Sequence, residues 1–189
     1  MDRLPDCAGE HPADGGGASG DQAIENRGAG TIRLRTAGPG VEQKAPEGFW
    51  RVTPILLDTG VIVALLDRSE RFHEICVERF EDLAGPLVTC EAVIAESCYL
   101  LRRLPGAADA IIENVETGVF QIPLQLSRSA AGLRRIFRKY RDREVDLADA
   151  CLVHLAGELG CGDILTLDRD FDIYRWGANK RFRRLIPLP

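Results

Sequence analysis

The sequence predicts an α/β domain built on a mostly parallel sheet, and three observations carry that expectation. From Pro54 onward, short apolar runs alternate with segments of helical period, as in strand–helix–strand units. The runs themselves, such as Ile55-Leu56-Leu57 and Ile164-Leu165-Thr166-Leu167, read as buried strands. Finally, Asp58 and Asp168 follow two of these runs directly, and the C-terminal ends of strands are where open α/β sheets place ligand sites.

The elements follow in order. Ile55 to Leu57 is the first strand, and a helix covers roughly Thr59 to Leu66. Phe72, Cys76, Phe80 and Leu83 recur at helical spacing, and Leu87-Val88 makes a short strand. Thr89 is the expected N-cap of a helix from Glu91 to about Arg103, stopped near Pro105-Gly106. Ala107 to Glu116 forms another helix, and Val119 to Ile122 a third strand. Ser127 caps a helix with the apolar stripe Leu133, Ile136, Phe137 and Tyr140, whose opposite face carries Arg134, Arg135, Arg138, Lys139 and Arg141. Leu147 to Leu159 is apolar nearly all round, hence a buried helix, ending at Gly160. Ile164 to Leu167 is the next strand, and Leu185-Ile186 the last.

The 189 residues allow one ordinary domain plus an appendage. Residues 1–53, rich in Gly, Ala and Pro and poor in large apolar side chains, are expected to form a disordered leader, with the folded domain at 54–187. A net charge of −5 excludes a binder that is basic in bulk, though not a local basic face. The six cysteines show no C-x-x-C pair or zinc spacing, and buried thiols in a reducing compartment account for them. No stretch approaches the ~20 apolar residues that cross a bilayer, nor does the N-terminus resemble a secretory signal, so a cytoplasmic location is expected.

Four carboxylates occupy positions where a core would place an aliphatic side chain: Asp58, Glu96 within Ala92-Val93-Ile94-Ala95, Asp149 beside Leu147-Ala148, and Asp168. Asp146 lies three residues before Asp149 on the same helical face. An ionised carboxylate among apolar groups shifts its pKa, finds a cation or binds metal. Oxygen ligands without Cys or His favour Mg2+ or Mn2+ over zinc, and that chemistry points to phosphodiester hydrolysis by a metal-activated water. Each acid taken singly has a duller reading as a helix cap or ion-pair partner, for example Asp168 with Arg169 or Asp149 with Arg143.

The segments Leu56-Leu57-Asp58-Thr59-Gly60, Ala92-Val93-Ile94-Ala95-Glu96-Ser97, Asp146-Leu147-Ala148-Asp149-Ala150 and Leu165-Thr166-Leu167-Asp168-Arg169-Asp170-Phe171, in this order, resemble the PIN domain family, especially its VapC-type toxin ribonucleases. The resemblance spans about residues 54–187. It implies a three-layer α/β/α sandwich and an endoribonuclease dependent on Mg2+ or Mn2+, neutralised by a small antitoxin protein and often a homodimer. Asp58, Glu96, Asp149 and Asp168 match the family's first to fourth acids. Asp146 falls where some members carry a further acid, as an outer group or a ligand of a second ion. Thr166 matches a small hydroxyl residue two before the last acid. Thr59 follows the first acid and serves either a water or phosphate there or a helix cap. A housekeeping RNA or DNA nuclease on the same scaffold is the rival reading, and a non-catalytic interaction module a third.

Two basic clusters stand apart from the acids. The arginine face between Ser127 and Arg141 reads either as an RNA-phosphate surface or as a solvated helix side. Arg175, Lys180, Arg181, Arg183 and Arg184 interleave with Trp176 and Phe182, which suits base stacking or an edge strand with a packed Trp. His73 sits at a helix start, and His154 reads as a satisfied core group.

Overall fold

A computed structural model describes residues 53–83 and 85–187. The expected leader, residues 1–53, lies outside them apart from its last residue. The chain forms β1 (Ile55–Leu57), α1 (Thr59–Leu66), α2 (His73–Glu81), β2 (Leu87–Val88), α3 (Glu91–Leu100), α4 (Ala107–Glu116), β3 (Phe120–Gln121), α5 (Leu126–Lys139), α6 (Leu147–Leu159) and β4 (Asp163–Leu165). A 3-10 turn at Arg169–Asp172 then leads to β5 (Arg175–Trp176), β6 (Lys180–Arg181) and β7 (Arg183–Arg184).

Five strands pair in the order β3-β2-β1-β4-β7, every pairing parallel. The chain starts at β1, moves outward to β3, then returns past β1 to lay down β4. Because such crossovers are right-handed, the two directions of travel put helices on opposite faces, giving the three-layer α/β/α sandwich. β1 and β4 are covered on both sides, so Leu56, Leu57, Ile164 and Leu165 are all buried. The reversal of strand order falls between these two strands.

Local chemistry explains the boundaries. The Asp58 side chain accepts the Thr59 N–H and caps α1, and Asp146 accepts the Asp149 N–H at 2.8 Å to cap α6. Gly160 closes α6 in the left-handed region (φ 66°), where a side chain would be strained. α6 is buried along most of its length, as its composition predicts.

Several expectations shift. Cys90, not Thr89, caps α3, because the Thr89 hydroxyl donates instead to the Leu57 carbonyl (2.9 Å) and ties β2 to β1. α3 ends at Leu100, and α5 begins at Leu126, after Gln125. The last sheet strand is Arg183–Arg184 rather than Leu185-Ile186. An edge strand needs backbone partners more than apolar side chains, and the Arg183 guanidinium pairs with Asp163 across β4–β7. β5 and β6 form a separate antiparallel hairpin. Its Trp176 is buried, with the indole N–H donating to the Arg181 carbonyl at 3.0 Å, so of the two readings offered for this segment the packed-Trp one holds.

His73 and His154, the histidines among the described residues, are structural. The imidazole Nδ1 of His73 lies 2.7 Å from the Ala64 carbonyl and ties α2 to α1. His154 packs against Gly132, where even a methyl group would come within 2.5 Å of the ring. The five described cysteines, from Cys76 to Cys161, are unpaired by disulfides, and all are buried but the half-buried Cys98.

Candidate active site

β1 ends in Asp58 and β4 leads into Thr166, and their pairing sets the two residues side by side: Leu57 registers with Leu165, and the Asp58 N–H donates to the Leu165 carbonyl at 3.1 Å. The Thr166 hydroxyl donates to Asp58 Oδ2 at 2.6 Å and accepts the Asp168 N–H at 2.9 Å. On the other side of Asp58, its Oδ1 takes the Thr59 N–H at 2.7 Å, and the Thr59 hydroxyl donates to Glu96 Oε2 at 2.8 Å. A continuous hydrogen-bonded chain therefore runs from Glu96 on α3 through Thr59, Asp58 and Thr166 to Asp168 beyond β4. Thr59 acts by holding Glu96, while the capping of α1 falls to Asp58 itself.

Asp149 joins from the first turn of α6. Burial pushes its carboxyl up to about 7, and the charges of Asp146, Asp58 and Asp168 push in the same direction. Burial likewise raises Asp58 to about 6 against the lowering effect of its two hydrogen bonds, with Asp168 and Glu96 adding repulsion. The sequence expectation of four submerged carboxylates needs correction: Asp58 is buried, Glu96 and Asp149 are half-buried, and Asp168 and Asp146 are exposed. The sheet edge and the helix faces turn the last groups toward an open mouth, so one acid forms the floor and the others the walls.

Tyr174 belongs to the same constellation and carries no sequence motif. It is fully buried, and its hydroxyl donates to Asp149 Oδ2 at 3.0 Å. Edge-on contacts with Tyr140 (centroids 5.0 Å apart) and Phe171 (5.4 Å) fix its ring. Only the run of aromatics after the last acid, Phe171 and Tyr174, hinted at it.

Among the described residues no three acids, histidines or cysteines stand close enough to form a ready-made metal cluster. The donor set nonetheless fits a hard divalent cation. It consists of oxygens only, and burial, with repulsion from neighbouring carboxylates added to it, pushes Asp58 and Asp149 upward, a penalty that a bound cation would offset.

A fold with this strand order, and acids gathered at the reversal between β1 and β4, defines a domain of the PIN class. The family model for the PIN domain matches residues 55–177, and the chain belongs to that family. Ribonuclease VapC26 of Mycobacterium tuberculosis (strain ATCC 25618 / H37Rv) is 31% identical over 117 residues, which span 61% of this chain and 87% of that protein. The crystal structure of the M. tuberculosis toxin VapC20, described as cleaving the sarcin-ricin loop, matches with a TM-score of 0.58 at 20% identity, over 63% of this chain and 93% of that one. At that identity the likeness concerns the fold.

Proposed function

We propose that this chain is a divalent-metal-dependent endoribonuclease that hydrolyses RNA phosphodiester bonds, acting as the toxin of a toxin–antitoxin pair. The observation that supports the reading is the hydrogen-bonded chain Glu96–Thr59–Asp58–Thr166–Asp168 at the strand-order reversal, with Asp149 near enough for the charges of Asp58 and Asp168 to add to the burial that raises its carboxyl. Kinship with Ribonuclease VapC26 supports the RNA substrate and the toxin role.

Asp58, Glu96, Asp149 and Asp168 would hold the ion, Mg2+ or Mn2+, and Asp146 would be available to a second one. Such an ion, when bound, activates water at neutral pH and neutralises charge on the phosphoryl oxygens. The chain's own part is positioning. Thr166 and the Thr59 N–H each occupy one Asp58 oxygen and aim the remaining lone pairs outward. Thr59 holds Glu96, and Tyr174 holds Asp149. Residues 54–187 carry the activity, the leader contributes none to catalysis, and the protein works in the cytoplasm with a small antitoxin and a second copy of itself as partners.

The test incubates the full chain with matched RNA and DNA oligonucleotides in EDTA and after adding Mg2+ or Mn2+. RNA cleavage that appears only with metal, and is lost in Asp149→Asn, is the expected result. Undiminished cutting in EDTA, or cutting of DNA as readily as RNA, would sink the proposal.

A further inference from the structure

On the cationic side of α5, among the described residues, only Lys139 has a contact within the fold, its ammonium lying 3.5 Å from the Arg175 carbonyl and over the Tyr140 ring. Leu133 and Tyr140 turn inward and are buried, while Arg134, Arg135, Arg138 and Lys139, with Arg141 just beyond the helix, are all exposed. Among the described residues no carboxylate pairs with any of these arginines. α5 itself holds no acidic residue, in a chain with 29 acids to 24 bases. Arg134 and Arg138, and Arg135 and Lys139, are like charges one turn apart, a spacing that destabilises a helix. The helix dipole compensates those in the last turn but not Arg134 and Arg135. A solvated face interleaves both signs, and this one does not.

A second feature narrows the partner. Phe137, expected within the apolar stripe, sits instead at its border: it is 36% exposed, three residues after Arg134 and four before Arg141, so its ring adjoins those two arginines. An aromatic ring between arginines matches the alternation of base and phosphate along a single strand. The helix that bears the ridge also ends near the acids: Tyr140 closes α5 on its buried side and stacks edge-on against Tyr174, whose hydroxyl reaches Asp149.

We infer that the exposed face of α5 is the track on which single-stranded RNA lies as it enters the acidic site, with Arg134, Arg138 and Arg141 on successive phosphates and Phe137 under a base. This rests on the ribonuclease reading and adds the route of the substrate. The track reads backbone charge and a π-face, so it takes single strands without regard to sequence.

Binding is measured by fluorescence anisotropy of a single-stranded RNA of about 20 nucleotides across a range of KCl concentrations, on full chains carrying Asp58→Asn to keep the strand whole. Adding Arg134→Ala, Arg138→Ala and Arg141→Ala together should flatten the slope of log K against log salt by about 2, since each lost contact to a single strand removes about 0.7. Phe137→Ala should weaken binding about tenfold and leave the slope unchanged. With Asp58 intact, the triple variant should raise KM and leave kcat alone. A control triple on other elements, Arg68→Ala, Arg79→Ala and Arg103→Ala, should bind as the parent does. An unchanged slope in the α5 triple, or an equal loss in the control, overturns the track. So does an α5 triple that keeps RNA but loses polyglutamate, which would mark the face as a dock for an acidic protein. Normal cutting with charge-insensitive binding overturns the track alone, whereas an unaltered chain that cuts no RNA in Mg2+ overturns the reading beneath it as well.

Discussion

Burial without a cation makes Asp58 unfavourable to the fold that needs it, since its carboxyl is pushed up to about 6 from an ordinary 3.8. Asp58→Asn keeps the shape, removes the charge, and should abolish metal-dependent cleavage. In metal-free buffer at pH 8 the same variant should unfold at higher denaturant, by on the order of 2 kcal/mol. Chemical denaturation of both proteins checks this, and a less stable variant would show that the hydrogen bonds from Thr166 and Thr59 outweigh desolvation. Tyr174→Phe deletes one hydroxyl from a packed ring. Activity should fall roughly tenfold while the melting temperature stays nearly constant, as expected when a carboxylate loses the partner that orients it. Direct titration with Mn2+ should show correspondingly weaker binding, and unaltered affinity would leave Tyr174 a packing residue only.

The contact between α5 and α6 is set by Gly132, whose missing side chain admits the His154 ring. Gly132→Ala should therefore destabilise the domain by about 1–3 kcal/mol through overpacking, read as a lower melting temperature. How legible such elements are in the sequence depends on what ends them. β1, α1 and α6 are readable almost to the residue, because an apolar run ends at Asp58 or Gly160 or begins just after Asp146, and those residues are themselves the caps. β7 is not readable: Arg183–Arg184 lies at the sheet edge, where backbone pairing decides and the side chains are charged. Thr89 misleads because its hydroxyl has a better acceptor across the sheet than along its own helix. Asp58, Glu96, Asp149 and Asp168, the proposed ligands, are legible as polar interruptions of apolar runs. Tyr174 is not, since a single aromatic after the last acid looks like any core residue until Asp149 is placed beside it.

At the scale of the whole molecule, two raised carboxyls couple stability to both protons and metal. Asp58 and Asp149 titrate at about 6 and about 7 in the folded protein, above their ordinary 3.8, so the fold binds protons that the unfolded chain releases. Their stabilising contribution is complete below pH ~4 and lost as pH rises through 6 and 7. The metal-free protein should melt progressively lower between pH 5 and pH 8, and Mg2+ or Mn2+ should raise its melting temperature more at pH 8 than at pH 5. Scanning calorimetry at both pH values with and without the ion tests this, and a metal effect larger at pH 5 would contradict it. Removal of residues 1–50 should leave cleavage rates unchanged, and a large loss would assign the leader a part in catalysis. The pairing of β1 with β4 has a temporal side as well. Asp58 and Thr166 are separated by 108 positions, and Asp168 and Tyr174 come later still. A nascent polypeptide thus exposes its first two acids long before their counterparts have been translated. A product cut short before Thr166 lacks both the hydroxyl that Asp58 accepts and the Asp168 backbone tied to it, so the network around Asp58 can close only when synthesis is nearly finished.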